Sequence, residues 1–585
     1  MSIAFDASFL STTAEIDPFL SLYSNKAYVD AMVKQMGNQV GSATITKAFI
    51  QWGNGEWDVT NVSTLNIVEA GMEVTFYLLN IRRVPNFYVY VIALPCFILT
   101  ALSVVGMFWT RNIKKEQLVK KRSASDSVEH AMLSAFDRAV TQPSSSFRKA
   151  VVGFNCNVDL IVPGVLLLDS LNLSSVDRGF DHKNLNNLND LAESFHYMFQ
   201  KGAAAERFIK NEETFSMMVK TAEKMPRMQY HIGGNAALLA TRIASNFPWT
   251  EVHLVGPIGP RSQALLHPSI KRSNSTRITK DELHVILEYK QGEVLGEHVA
   301  LGSSRFITSH DLYSSSTILI EMFFKAIATV QPDLVIITGV HLLEFLEKDV
   351  RVEKLRLIKR NIVQIDSRVP IHLKLGGLGG DQEFAKSVLE KILPYADSLA
   401  LTEQQLALLA KVGGGPHPNE YPVVGGALHT HKVIDMLHWL ITKYGKPKNA
   451  TNAEEKLKRL SRIHFTCLTF HVVVATGSDW SNLASGLASG ARIAGKIVCG
   501  GEKAEAQDLL ESRTSQSFLL DSSLQKNYHF DPHHPITSWL HDDSLFLFTP
   551  VLVCKYPRKT VGVDDTISST ALLYSQFYRF EPFFA

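Results

Sequence analysis

Apolar strand-like runs recur after residue 149, and amphipathic helical patterns separate several of them. EFAKSVLEKIL (383–393) and EEKLKRLSRI (454–463) are examples of the helical patterns. Strands that alternate with helices predict a mainly parallel sheet that is covered by helices on both faces, in an α/β fold. Ligands of such sheets bind beyond the carboxyl ends of the strands, so functional residues are expected there. The apolar runs are AVVGFNCNVDLIV (150–162), VHLVGPIG (252–259), LVIITGVH (334–341) and HVVVATG (471–477).

Two other segments add detail to this α/β region. ELHVILEYKQGEVLGEHVAL (282–301) has strand character around a Gly-containing turn, which predicts part of a small β-rich lid. VEHAMLSAFDRAV (128–140) has apolar residues at helical spacing and predicts a short helix that opens the large domain.

A long uncharged run, Phe87 to Trp109, precedes this region. A helix of that length just crosses a bilayer core of roughly 30 Å, so we predict one transmembrane helix; a buried core helix is the alternative. The heavier basic flank is on the C-terminal side and favours a cytosolic position for the rest of the chain. That flank consists of Arg111, Lys114, Lys115, Lys120, Lys121 and Arg122.

Charge and cysteine content exclude some classes of protein. Lys plus Arg total 59 and Asp plus Glu total 57, a net charge of +2 that gives no electrostatic reason to expect a nucleic-acid partner. The 5 cysteines are scattered, without metal-ligand spacing, and their odd number does not indicate a disulfide framework.

The strongest single motif is FTPVLVCKYPRKTVGVDDTISSTALLYSQF (548–577). It predicts a strand, a Pro-containing turn and then a helix that starts near Asp565. The N-terminus of a helix offers unpaired N–H groups to a phosphate, and a carboxylate there can accept the proton of an attacking hydroxyl. Taken alone, the pattern also fits an ordinary turn with a capping Asp.

That motif resembles the Gly-x-Gly-Asp signature of ribokinase-like kinases, in the form found in ADP-dependent glucokinases. Further stretches match that family in order and spacing, and the resemblance covers about 124–585. It implies a monomeric kinase domain that moves the β-phosphate of ADP to the 6-hydroxyl of glucose. The matching stretches are GFNCNVDLIVPG (153–164), AAERFIKNEETF (204–215), HIGGNAALLATRIA (231–244), RFITSHDL (305–312), PDLVIITGVHLLE (332–344), RIHFTCLTFH (462–471) and GARIAG (490–495).

The resemblance also implies roles for individual residues. Asp565 would remove the proton of the sugar hydroxyl and help to hold Mg²⁺. Gly562 would lie in the anion-binding turn, and Arg305 would reach the phosphates. The residues that would hydrogen-bond the hydroxyls of glucose are Asp159, Glu206, Gly234 and Asn235.

The sequence departs from the family pattern where phosphate and metal would bind. Asp564 replaces the second Gly of the signature, and Lys374 replaces the Glu of a His-x-Glu pair. The family's Asn-x-x-Glu element is changed at both ends, to Thr402 and Gln405, with Glu403 between them. An unscreened Asp564 would repel phosphate, and two lost carboxylates would weaken a Mg²⁺ site. A catalytically impaired protein that still binds sugar is therefore the alternative to an active kinase.

The first 120 residues resemble part of a pentameric ligand-gated ion channel subunit. The resemblance rests on WGNGEWDVTNVS (52–63) and on FYLLNIRRVPNFYVYVIALPCFILTALSVVGMFW (76–109). No pore-lining helix comes after them, so we expect a truncated or fused segment without channel function. The basic flanks favour a cytosol-facing kinase, whereas the kinase resemblance implies the endoplasmic reticulum. The expected domains are a channel-like segment (1–86), a transmembrane helix (87–109), a basic linker (110–123) and the kinase (124–585).

Overall fold

The structure is a computed structural model, and it falls into two compact units, Met1–Lys121 and Arg122–Ala585. Most of the second unit is described, whereas only the backbone of five strands is described before residue 127. The described residues of the second unit are 127–144, 146–173, 179–378, 380–421, 423, 428–500, 509–557 and 561–579.

The described strands of the first unit form one three-stranded sheet and one two-stranded sheet. The predicted transmembrane segment, 87–109, lies outside the described residues. Among the helices that are described, none combines the length and the apolar character needed to cross a membrane. The strands of this unit are Ser2–Ala4, Phe49–Trp52, Gly55–Asp58, Val62–Glu69 and Met72–Leu79.

A ten-stranded sheet, here called the large sheet, forms the centre of the second unit. Its first seven strands are parallel to one another, and each of its last three strands pairs antiparallel with the strand before it. The predicted mainly parallel sheet is therefore confirmed. In spatial order the strands are Lys271–Arg272, Glu251–Val255, Lys149–Gly153, Leu334–Ile337, Ile371–Lys374, Ser398–Thr402, Arg462–Thr466, Phe470–Thr476, Ser544–Pro550 and Thr537–His541.

Helices cover both faces of the large sheet, because the strands are apolar on both sides. The predicted helix at 383–393 is confirmed as Gln382–Lys391, and the one at 128–140 as Val128–Ala139. The helices over the large sheet are Asn235–Asn246, Pro260–Leu265, Thr317–Val330, Lys348–Ile362, Gln382–Lys391, Glu403–Gly413, Thr430–Tyr444, Leu483–Val498 and Val563–Tyr574. Short 3-10 helices are Asn274–Thr276, Val340–Phe345, Leu393–Tyr395 and Pro418–Glu420.

The predicted helix at 454–463 is wrong beyond its first turn. The helix Ala453–Lys456 ends in a turn in which Leu457 and Lys458 still donate to Glu454 and Glu455, but the backbone N–H groups after them donate to other carbonyls. Those of Arg459 and Leu460 donate to Pro394, and those of Ser461 and Arg462 donate to Asp397. Bonds to Pro394 and Asp397, just before the neighbouring strand Ser398–Thr402, therefore override the local helical pattern, and Arg462–Thr466 joins the large sheet.

A second sheet of six strands accounts for the predicted small β-rich region and is larger than expected. The segment 282–301 contributes the strand Leu283–Tyr289, while Val294–Leu295 and His298–Val299 form a separate ribbon. Three helices cover one face: Gly164–Ser170, Leu188–Lys201 and Glu212–Ala222. In spatial order the strands are Gln229–Gly233, Asn157–Pro163, Leu283–Tyr289, Ser304–Ser309, Ala205–Ile209 and Asn184–Leu185.

Alternation along these strands gives the second sheet a polar face. Its apolar side chains, such as Leu160, Leu287 and Phe306, pack under the helices. Because neighbouring residues of a strand point to opposite faces, the polar residues next to them point the other way. These residues are Asp159, Glu206, His284 and Arg305.

The cysteine prediction is partly wrong, because Cys499 and Cys554 form a disulfide with Cα atoms 5.5 Å apart. Cys499 comes directly after the helix Leu483–Val498, and Cys554 ends the strand Leu552–Cys554. The two cysteines are 55 residues apart in sequence. Sequence spacing could not reveal the pair because the fold brings the two elements together.

A test of the core uses Phe323, which is fully buried and packs edge-on against Phe154 with ring centroids 5.2 Å apart. Phe323→Ala should lower the free energy of unfolding by about 3–5 kcal/mol, because the cavity adds to the lost transfer energy. Its neighbour Phe324 is only partly buried, so Phe324→Ala is the matched control and should cost less. Urea unfolding followed by tryptophan fluorescence compares them; equal losses would contradict this packing.

Candidate active site

Two helices begin side by side beyond the large sheet. Gly562 precedes the helix Val563–Tyr574 with φ 69°, and Gly234 precedes the helix Asn235–Asn246 with φ 81°. A Cβ at Gly234 would also lie 2.8 Å from the backbone oxygen of Asn155, so this turn needs glycine. Both predicted glycines thus lie at helix N-termini, where backbone N–H groups are available to an anion.

A side-chain contact joins the two helix starts. Asn235 Nδ2 donates to both carboxylate oxygens of Asp565, at 3.0 and 3.1 Å. Asp565 is only 2% exposed. A predicted sugar-binding residue and the predicted base therefore lie in direct contact, although 330 positions separate them in sequence.

The electrostatic surroundings raise the pKa of Asp565 to about 7. Burial is the main cause and the charge of Asp564 adds to it, whereas Lys374, Asn235 and Arg305 act in the opposite direction. A carboxyl with such a pKa can accept a proton near neutral pH more readily than an ordinary aspartate.

The polar face of the second sheet brings together two further predicted residues. Asp159 Oδ1 accepts a hydrogen bond from Asn157 Nδ2 at 2.7 Å, and burial raises the pKa of Asp159 to about 6. Burial also raises the pKa of Glu206, to about 7. Both groups can therefore switch between donor and acceptor near neutral pH, which suits sugar hydroxyls.

Two histidines near Glu206 were missed from the sequence: His284 on this face, and His341 in the 3-10 helix Val340–Phe345. His284 Nε2 donates to Asp311 Oδ2 at 2.7 Å, and His284 Nδ1 lies 3.8 Å from Glu206 Oε1. Burial opposes the charged ring, but Asp311 and Glu206 raise the pKa of His284 to about 10. On the other side, His341 Nε2 lies 3.7 Å from Glu206 Oε2, and burial lowers the pKa of His341 to about 3. The sequence signal for the first of them was a polar residue, His284, within the mainly apolar strand Leu283–Tyr289.

Arg305 lies on the same polar face and exerts its charge on the second sheet and on the start of the helix Val563–Tyr574. Its guanidinium lowers the pKa of Asp159, Glu206, Asp564 and Asp565. Within the part of the chain that the structure describes, its Nε atom is buried and has no hydrogen-bond partner. A buried donor without a partner costs free energy, so an anion that accepts a hydrogen bond from the Arg305 guanidinium would bind favourably.

Lys374 and Asp564, two of the residues at which the sequence departs from the family pattern, contact each other. Lys374 Nζ donates to Asp564 Oδ2 at 2.8 Å and to the backbone oxygen of Leu375 at 3.1 Å. Burial alone would raise the pKa of Asp564, but Lys374 overcomes this and lowers it. The repulsion predicted for an unscreened Asp564 therefore does not apply, because a buried ammonium group pairs with this carboxylate.

Thr402 and Gln405 have a structural role. They form a capping box at the start of the helix Glu403–Gly413, where Gln405 Oε1 accepts from the backbone N–H of Thr402 at 2.8 Å. Gln405 Nε2 also donates to the backbone oxygen of Gly376 at 2.6 Å, which fixes the loop after Lys374. Glu403 instead accepts from the backbone N–H of Leu428 at 3.2 Å.

The carboxylates at the start of the helix Val563–Tyr574 fit a magnesium ion only if phosphate oxygens supply most of the ligands of that ion. Mg²⁺ commonly binds one or two carboxylates together with phosphates and water. Here Asp564 already faces an ammonium group, so Asp565 is the carboxylate that remains at the start of this helix.

The charged pair at His284 predicts a pH-dependent stability. A raised pKa in the folded state gives stabilisation that is complete below about pH 6.5 and is lost as the pH rises toward 10. The difference in unfolding free energy between the native chain and His284→Gln should therefore shrink over that range, by on the order of 1–4 kcal/mol. Urea titrations at several pH values measure it.

The matched control for this experiment is His253→Gln, which removes a more exposed histidine paired with Glu251. Surface pairs contribute at most about 1 kcal/mol, so its effect should be small throughout. A His284→Gln difference that stays constant from pH 6 to 10 would contradict a charged imidazole at this position.

Comparison with known proteins identifies the family. The model of the ADP-specific phosphofructokinase/glucokinase conserved region matches residues 148–574. A probable ADP-dependent glucokinase of Caenorhabditis elegans is 59% identical over 459 residues, which cover 78% of this chain and 91% of that protein. The ADP-dependent glucokinase of Bos taurus is 34% identical, over 77% of this chain and 89% of that protein.

A solved structure supports the fold. A hypothetical ADP-dependent phosphofructokinase from Pyrococcus horikoshii superposes with a TM-score of 0.53 at 17% identity, covering 74% of this chain and 98% of that one. The predicted ribokinase-like α/β fold is thus confirmed. With its family model matched over most of the second unit, the chain belongs to the ADP-specific phosphofructokinase/glucokinase family of kinases.

Proposed function

We propose that the chain transfers the β-phosphate of ADP to the 6-hydroxyl of glucose, giving glucose 6-phosphate and AMP. The observation that carries this proposal is the hydrogen bonding of Asn235 to Asp565 at 3.0 and 3.1 Å. It sets a proton acceptor beside a sugar-binding side chain and at the N-terminus of a helix, where phosphate is favoured.

Glucose would bind between the polar face of the second sheet and the start of the helix Asn235–Asn246. Asp159 and Glu206 would accept or donate hydrogen bonds to its hydroxyls, and Asn235 would contribute its amide. Gly234 would let the backbone approach the sugar closely. Polar and apolar residues alternate along the strands of the second sheet, so its polar face offers several hydrogen-bonding side chains. This supports the proposed glucose site, because each buried hydroxyl of a sugar needs a hydrogen-bond partner.

The phosphates of ADP would bind at the start of the helix Val563–Tyr574. The turn at Gly562 would supply backbone N–H groups, and the Arg305 guanidinium would pair with phosphate oxygens. The unpartnered Nε of Arg305 supports this assignment. Phosphoryl transfer depends mainly on such positioning and charge stabilisation.

Asp565 would then take the proton of the 6-hydroxyl. The hydroxyl oxygen bonds to the β-phosphorus, the bond from that phosphorus to the bridging oxygen breaks, and AMP leaves with the bond's electron pair. Mg²⁺, held by the phosphates and Asp565, would neutralise charge on the phosphate oxygens. The raised pKa of Asp565, about 7, supports its role as proton acceptor.

The N-terminal interpretations remain proposals. Residues 87–109 would anchor the kinase to a membrane, at the endoplasmic reticulum or facing the cytosol, and the kinase unit would act as a monomer. The channel-like segment, 1–86, would have no channel function because a single transmembrane helix cannot enclose a pore.

Asp565→Asn tests the chemistry. It should lower kcat for AMP formation from ADP and glucose by about 10²- to 10⁴-fold, because the amide cannot accept the proton. The thermal stabilisation of the chain by glucose should remain, since the sugar-binding side chains are unchanged. Coupled AMP assays and melting curves measure the two effects.

Asp542→Asn is the control, since this exposed aspartate lies in the turn after the strand Thr537–His541 and far from the helix starts. It should leave kcat unchanged. A native chain that glucose stabilises but that forms no AMP would contradict the kinase proposal and support the sugar-binding alternative.

The charged pair at Lys374 and Asp564 favours an active enzyme, and a double-mutant cycle tests this. Lys374→Met should lower kcat/KM about five- to a thousandfold, since the freed Asp564 charge would repel phosphate by about 1–4 kcal/mol. Adding Asp564→Asn should restore part of the loss, as expected for directly coupled residues.

Lys432→Met is the control for that cycle, because Lys432 pairs with Glu420 at 2.6 Å outside the site. It should leave kcat/KM unchanged. If Lys374→Met and the double variant have the same kcat/KM, Lys374 does not act by neutralising Asp564.

A further inference from the structure

Two histidines and an aspartate meet at one edge of the large sheet. His438 lies on the helix Thr430–Tyr444, His541 ends the edge strand Thr537–His541, and Asp542 lies in the turn after that strand. One ligand atom from each of the three side chains lies within 4.8 Å of the others. This group is called the His-His-Asp cluster.

A buried carboxylate orients one member of the cluster. Asp521 Oδ2 accepts from His541 Nδ1 and from Trp539 Nε1, both at 2.9 Å, and Asp521 is fully buried. With its proton on Nδ1, the neutral His541 ring has its lone pair on Nε2, which lies 3.1 Å from Ser523 Oγ. Ser523 Oγ donates its own proton to Asp521 Oδ1 at 2.9 Å. A carboxylate behind a histidine is the usual arrangement that fixes the tautomer and orientation of a metal-binding imidazole.

The second histidine has an unused nitrogen. His438 Nε2 is buried and has no hydrogen-bond partner among the described residues, although Asp542 Oδ2 lies 3.1 Å away. The two ligand atoms are therefore close to a common position, as expected for two ligands of one cation.

Topology separates this cluster from the phosphate site. In the pairing of Phe470–Thr476 with Ser544–Pro550, Phe470 is opposite Pro550 and Thr476 is opposite Ser544. The carboxyl ends of the parallel strands therefore lie at the Pro550 end, and the cluster lies at the Ser544 end. A strand of seven residues spans roughly 20 Å, so one ion cannot serve both places.

We propose that the His-His-Asp cluster binds a divalent transition metal ion of the zinc type. Two imidazole nitrogens and one carboxylate oxygen are the ligands that Zn²⁺ selects, with water in the fourth position. The ion would take the place of Ser523 Oγ at His541 Nε2, and Ser523 would keep its hydrogen bond to Asp521 Oδ1.

Binding requires a small rearrangement. The rings of His438 and His541 are stacked with centroids 3.8 Å apart, so one ring has to tilt before both lone pairs point at the ion. The ligand atoms also have to approach by about 1 Å, since metal–ligand distances of about 2.0–2.2 Å place tetrahedral ligands closer together. Asp542 is 75% exposed and lies in a turn, so it can supply this movement. The ion would then clamp the edge strand to the helix Thr430–Tyr444.

The experiment uses the full chain without a histidine tag, in detergent and after removal of metals with EDTA. Calorimetric titration with Zn²⁺ should give one ion per chain, and Co²⁺ should produce the visible absorption of a tetrahedral site. His438→Ala and Asp542→Asn should each weaken Zn²⁺ binding at least tenfold and reduce the Zn²⁺-induced rise in melting temperature. Neither residue lies in the proposed kinase site, so AMP formation should be unchanged.

A matched control removes two other histidines. His533→Ala/His534→Ala changes an exposed turn of the same unit and should leave Zn²⁺ binding at its native level. Binding that is unchanged in both His438→Ala and Asp542→Asn overturns the proposal. Absence of Zn²⁺ binding to the native chain at a concentration that saturates ordinary zinc sites overturns it as well.

Discussion

The hydrogen bonds from Asn235 to Asp565 are the contact on which the arrangement of the site depends. Each residue lies in the first turn of its own helix, and each helix begins directly after a glycine with positive φ. If either helix began one residue earlier or later, the side chains would rotate by about 100° and no longer meet. The two glycines therefore fix the distance between the Asn235 amide and the Asp565 carboxylate.

Charge balance is the second constraint on this region. Asp159, Glu206 and Asp565 are buried, and burial raises the pKa of each. Arg305 lowers all three pKa values, and nothing among the described residues pairs with its Nε atom. The site therefore combines carboxylates that are only partly ionised near neutral pH with a guanidinium group available to a ligand. Such a combination suits a neutral sugar and a polyanionic nucleotide together.

The sequence predicted the α/β class, the mainly parallel sheet and the helix after Gly562 because these depend on local periodicity and turn chemistry. It did not predict the strand at Arg462–Thr466, where bonds to Asp397 override a helical pattern, or the Cys499–Cys554 pair. The seven site residues came from resemblance rather than from periodicity. The Lys374–Asp564 pair could not be foreseen, since two substitutions 190 positions apart look independent until the fold joins them.

The turn at Gly234 has a mechanical consequence. It is the single residue between the strand Gln229–Gly233 of the second sheet and the helix Asn235–Asn246 over the large sheet. A rotation of that strand relative to that helix must change the two backbone torsions of Gly234, because no other residue separates the two elements. The orientation of the strand Gln229–Gly233 is consequently coupled to the position of Asn235 and, through it, to the contact with Asp565.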